Sequence, residues 1–253
     1  MTILLFSPKL FAQKLTLKAI EDDLHKSYLK ILDIRFNNGT TSYDSLEKEN
    51  NIFIEKIQSY TSNYPLTLTY KFDSLRKDNI NIHIVNSEDN LFRIYSWDTW
   101  MGGTMHDFKN IFQYRSGNKV YSRLSYDTTD QDYIPFYSQI FTLKANNKVY
   151  YLAIYNGIYS TKDASQSIRI FTIQNHSLND KVKLIKTSSG LVNSIDVYFD
   201  FFSVVDRPER PLRLIKYDQQ KRIIYIPIVD DSSKVTKRFI LYQFNGNVFK
   251  RVK

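Results

Sequence analysis

The chain has 253 residues, no cysteine, 35 basic and 26 acidic residues, and a net charge of +9. An apolar fraction of 42% with 15% aromatic residues is ample for a packed core, and only seven glycines and six prolines exclude collagen-like or low-complexity material. The missing cysteines exclude disulfides, thiol catalysis and cysteine-ligated metal centres.

The first residues, Met1 to Gln13, are apolar, and Leu10-Phe-Ala-Gln13 resembles the cleavage region of a bacterial secretory signal. Residues 1–12 are therefore expected to be a signal remnant, which implies a periplasmic or extracellular protein; the alternative is an ordinary apolar N-terminal segment of a cytoplasmic one. Residues 13–78 read as a helical region. Leu17, Ile20, Leu24, Tyr28, Ile31 and Arg35 recur at spacings of three and four, widened by Leu32, and Asn37-Asn-Gly39 is a stop signal. A second helix is expected from about Tyr43 to Tyr60, capped by Thr41 or Ser42, with Leu46, Phe53, Ile57 and Tyr60 inward and Pro65 ending it. Residues 66–78 fit either a strand or a third helix.

From Ile80 the period changes to two, and residues 79–253 read as an antiparallel β domain. Ile80, Ile82 and Ile84 alternate with Asn81 and His83; after the turn Ser87–Asn90 the run Leu91–Trp97 returns. Five further hairpins are expected: Phe112–Tyr114 with Val120–Leu124, Ile140–Leu143 with Val149–Ile154, Ile168–Ile173 with Val182–Ile185, Leu212–Tyr217 with Ile223–Val229, and Phe239–Phe244 with Val248–Val252. Several share Gly-Asn or Asn-Asn turns, the chemistry of positive φ. The fold class is thus α+β: two or three N-terminal helices and a meander of about ten to twelve strands, closed as a barrel, stacked as a sandwich or arranged as propeller-like blades. No apolar run is long enough to span a bilayer as a helix.

Leu91–His106 is the most concentrated stretch. It holds both tryptophans, two of three methionines, the Gly102-Gly103 pair and one of four histidines. Trp97 and Trp100 are candidates to stack on a sugar ring, Asp98 to accept from hydroxyls, His106 to act as acid or base, and Gly102 and Gly103 to let a ligand approach the backbone. The plain alternative is structural: the tryptophans bury, Asp98 caps the loop, and the glycines supply turn geometry. Asp196 and Asp200 share a face if Val197–Phe202 is extended, and paired carboxylates suit glycoside hydrolysis. Asp206 and Glu209 follow that run and complete its acidic cluster. Asp127, Asp130 and Asp132 offer hard oxygens, but the spacing lacks the glycine and distal glutamate of a calcium loop. His25, His83, His106 and His176 are scattered as single surface histidines, and no metal site or cofactor is expected.

The charge is uneven. Residues 1–68 are neutral, with eight residues of each sign, whereas Arg213–Lys253 carries ten basic and three acidic residues. Three functions follow. The leading expectation is a non-enzymatic, exported module that binds a glycan, a cell-wall polymer or a protein. The second is a carbohydrate-active hydrolase using Asp98, His106, Asp196 and Asp200. The third is an inhibitor or interaction protein whose basic face docks an acidic protein; nucleic acid is not the expected partner.

Overall fold

The computed structural model describes residues 15–37, 42–77, 80–125 and 134–252. Two helices precede an antiparallel β assembly, so the α+β class holds. Helix α1 (Leu17–Phe36) starts where the Thr16 hydroxyl accepts from the Ala19 amide, and its buried positions Ile20, Leu24, Tyr28 and Ile31 form the anticipated stripe. Helix α2 (Tyr43–Asn63) is capped by Ser42 and buries Leu46, Phe53 and Ile57; Tyr60 is only partly buried, and Thr61 takes the next inward position. Pro65 opens a single 3-10 turn (Pro65–Leu68) instead of a third helix or a strand, and Phe72 then adopts a φ of 53°, which neither element tolerates. Among the described residues no helix is long and apolar enough to cross a membrane.

Among the described residues fifteen strands form three sheets, more strands than the hairpin signals indicate. The first sheet has the order β1 (Ile82–Asn86), β2 (Phe92–Asp98), β3 (Phe108–Ser116), β4 (Lys119–Leu124). The middle sheet runs β11 (Ser194–Asp200), β7 (Asp163–Gln174), β6 (Lys148–Ile158), β5 (Phe136–Ala145), with the short β8 (Ser177–Asn179) beside β7. The third runs β10 (Gly190–Val192), β9 (Ile185–Thr187), β15 (Phe249–Val252), β14 (Val235–Phe244), β13 (Ile223–Val229), β12 (Lys216–Asp218). The pairings are antiparallel except β9 with β15.

One expected hairpin is replaced. Ile168–Ile173 does not pair with Val182–Ile185, because Asn175 and His176 both take positive φ and turn the chain at once into β8. Ile185 instead enters the third sheet, between β10 and β15. The exposed His176 therefore serves the turn.

The elements share cores in the order helices, first sheet, middle sheet, third sheet. Alternation explains why. On β2, Tyr95 and Trp97 face α1 and α2, sharing a core with Tyr28, Phe53 and Ile111. Phe92 and Ile94 face the opposite way, against Tyr137, Tyr151, Ala153 and Phe171 of the middle sheet. On β6, Leu152 and Ile154 point to the other side and pack on Ile224, Tyr242 and Phe249 of the third sheet. The first and middle sheets are thus buried on both faces, which calls for near-continuous apolar runs.

Candidate functional site

Asp98 ends β2 and is fully buried. It holds the Trp97–His106 segment together. Its Oδ1 accepts from the Trp100 amide at 2.8 Å, the short-range cap expected of an aspartate at a strand end. Its Oδ2 accepts from His106 Nδ1 at 2.5 Å and from Asn81 Nδ2 at 3.3 Å. With the Asn81 amide oriented this way, its Oδ1 accepts from His83 Nε2 at 3.2 Å. A polar chain therefore links both histidines through one carboxylate and one amide.

The helices fix the loop from behind. The Tyr28 hydroxyl donates to the Asp98 carbonyl at 3.0 Å and accepts from Trp100 Nε1 at 3.1 Å. Asn50 of α2 donates to the Thr99 carbonyl at 2.9 Å. The Thr99 amide donates to the Asp107 carbonyl at 2.9 Å, closing the loop at its base, and the His106 amide donates to the Ile158 carbonyl at the end of β6.

Trp97 is not a stacking platform. Its ring is completely buried 5.1 Å from Phe53, and its N–H has no hydrogen-bond partner among the described residues. Trp100 is partly exposed, at a φ of 56°, with its ring edge-on to Phe36 and 5.7 Å from His106. Gly102 does permit close backbone approach, but to the chain itself: a Cβ there would lie 1.8 Å from the Met105 carbonyl oxygen. Gly103 has open space around it.

Asp196 and Asp200 lie elsewhere, on β11 of the middle sheet. Four residues apart on one strand face, they are separated by about 13 Å, beyond the span of a glycosidase carboxylate pair. Asp196 accepts from the Tyr155 hydroxyl at 2.6 Å. Asp200 caps the following 3-10 turn through the Phe202 amide and lies 3.8 Å from Lys162. Asp206 and Glu209 are exposed. Asp127, Asp130 and Asp132 fall outside the described residues, as do residues 1–12 and Thr41.

The structure brings to His106 a group of residues that sequence reading did not gather. A cleft of about 550 Å³ opens beside the imidazole, lined by His83, Phe108, Phe136, Arg76, Lys77 and Arg210 among others, and none of the described lining residues is acidic. His83 is stacked on Phe136 with ring centroids 4.3 Å apart, and His106 lies nearly parallel to Phe108 at 6.2 Å. Burial pushes the His83 pKa down to about 4, so this ring is neutral near pH 7 and, as the Nε2–H donor to Asn81, presents Nδ1 as an acceptor. The hydrogen bond to Asp98 raises the pKa of His106 against the opposing effect of burial. Tyr28 is driven up by burial and then by the Asp98 charge, so its hydroxyl stays protonated.

With His106 Nδ1 committed to Asp98, Nε2 is the ring nitrogen left for a ligand. The arrangement can bind an anionic group or move a proton. Among the described residues no three histidine or carboxylate side chains gather as metal ligands. The sequence offered His106 as a candidate and His83 on the strand face opposite Ile82 and Ile84; the cover over His83, Phe136, comes from a strand much later in the chain. No protein-family model matches this chain, and no curated protein matches it significantly.

Proposed function

We propose that this protein is a non-enzymatic binding module whose ligand enters the His106 cleft and carries an anionic group, with an acidic glycan or cell-wall polymer as the class it fits. The supporting observation is the lining: His106, its pKa raised by Asp98, stands with Arg76, Lys77 and Arg210 around the rings of Phe108 and Phe136, with no described carboxylate facing the ligand. A sugar carboxylate would meet the cations and the apolar ring face would meet the phenylalanines. The reading includes export, motivated by Leu10-Phe-Ala-Gln13, and detection of Gln13 as the first residue of the mature protein would support it.

The test uses tryptophan emission, because Trp100 borders His106 while Trp97 is shielded. Titration with an oligogalacturonate should give a saturable change that weakens about tenfold in His106→Asn, the loss of one charge-assisted hydrogen bond. Equal binding of a neutral oligosaccharide, or none of either, counts against the proposal.

One observation favours a second reading. A histidine whose Nδ1 is held by a buried carboxylate is the arrangement of a general base, which would make the protein a carbohydrate-active hydrolase with Asp98 and His106 as its active pair. The raised His106 pKa weakens this case, since it leaves more of the ring protonated near neutrality. Release of reducing ends from a polysaccharide, abolished in His106→Asn, would favour the enzyme.

A further inference from the structure

We propose that the outer face of the third sheet is a docking surface for an acidic protein partner, independent of the His106 cleft. Cross-strand register defines the face. Tyr225 stands opposite Leu241, and Leu241 opposite Val252, so these three form one row. Lys216 faces Tyr225 at one end of that row, and its ammonium lies over the Phe239 ring at 5.9 Å. Lys250 and Lys186 pair at the other side of the same face.

The inner face of this sheet is consumed by the core through Ile224, Tyr242 and Phe249. The outer row contributes to none of the packed apolar cores among the described residues. Its apolar side chains are only partly buried, and an uncovered face of this composition is what interaction sites present.

Charge selects the occupant. Lys186, Lys216 and Lys250 are exposed and make no ion pair among the described residues. Asp218, two residues from Lys216 on β12, faces Lys221 at 3.9 Å. A second copy of the chain would set lysine rows against each other, which disfavours self-association. A polyphosphate or polysulfate would use the lysines and leave the Tyr225–Leu241–Val252 row bare. A protein segment with apolar residues at its centre and Asp or Glu at its flanks satisfies both parts of the face.

The probe is a fluorescein-labelled peptide with Val and Tyr at its centre and Glu at both flanks, followed by anisotropy against the full chain. We expect saturable binding that weakens with added salt and falls about tenfold when Lys186, Lys216 and Lys250 are all changed to Gln. Each single Lys→Gln variant, with its fold checked by circular dichroism, should show part of that loss. His106→Asn should bind the peptide as the parent does, so failure here leaves the cleft reading standing. Absence of peptide binding, unchanged binding in the triple variant, or tighter binding of an oligothymidylate, heparin or phosphatidylglycerol vesicles would overturn the proposal.

Discussion

A methyl group at position 102 would sit 1.8 Å from the Met105 carbonyl oxygen, while one at position 103 would meet nothing within 4 Å. The two adjacent glycines thus have different duties, although they look alike in the sequence. Gly102→Ala must push backbone against backbone or open the loop that Asp98 caps. It should cost roughly 2–4 kcal/mol in chemical denaturation, whereas Gly103→Ala should stay within about 0.5 kcal/mol. Equal costs would mean that the loop does not fold back on itself. His83 gives a second residue-scale prediction, in pH. Its pKa falls from about 6.5 unfolded to about 4 folded, so the unfolded chain binds the extra proton. Stability is therefore lost as pH drops from about 6.5 toward 4, by roughly 3 kcal/mol at most. His106 acts oppositely: its raised pKa contributes stability that is complete below about 6.5 and lost as pH rises through the folded value. Being partly exposed, His106 is the weaker of the two. Thermal midpoints of the parent and His83→Gln should converge as the pH falls toward 4, and parallel curves would reject this assignment.

At the scale of elements, β2 shows what periodicity conveys and where it stops. Alternation places Phe92 and Ile94 on one face and Arg93, Tyr95 and Trp97 on the other. Sequence alone invites the conclusion that the face bearing arginine is wet. It is not: Arg93 is 2% exposed. Its Nη1 donates to the carbonyls of Thr67 and Tyr70 at 2.7 Å each, and its Nε donates to Asn86. The Tyr95 hydroxyl donates to Thr67 as well, and Gln113 donates to the Thr61 carbonyl, so the 3-10 turn after α2 is tied down by polar groups from two strands. These bonds hold residues 66–77 out of both elements their pattern suggests. The helices and most hairpins were legible because their cues lie within a few residues: the Ser42 cap, the apolar stripes and the Asn-rich turns. The Asp98 cap was legible for the same reason. The partners of β9, the cover over His83 and the use of Arg93 were not, because each depends on a chain segment far away in sequence. Arg93→Met keeps the stem and removes the donors to the Tyr70 carbonyl and to Asn86 Oδ1, leaving Thr67 with the Tyr95 hydroxyl alone. We expect it to destabilise by about 3 kcal/mol, with the denaturant slope unchanged. A loss below about 1 kcal/mol would show that water replaces the guanidinium.

For the whole molecule, the stacking order predicts where stability is concentrated. β6 is hydrogen-bonded to β5 on one side and β7 on the other. Both its faces are covered as well, with Leu152 and Ile154 against the third sheet and Tyr151 and Ala153 against the first. Exposing its amides therefore requires separating layers on both sides, which amounts to global unfolding. The opposite extreme is β10, a three-residue edge strand paired to β9, whose Leu191 is 43% exposed. The helical layer lies between these limits: it shares a core with β1, β2 and β3 but covers only the outer face of the first sheet. Native-state hydrogen exchange should follow this order. Amides of Tyr151–Tyr155 should exchange only through global unfolding, with a denaturant dependence equal to the full equilibrium slope. Those of β10 should exchange through local opening with almost none. The α1 and α2 amides should fall between, because the helices can detach while the two inner sheet interfaces stay closed. Helix amides as protected as β6 would mean that the helices cannot leave without the sheets. Tyr28, Asn50 and Trp100 join both helices to the loop that carries His106, so occupation of the cleft should slow exchange in α1 and α2 while leaving β6 unchanged.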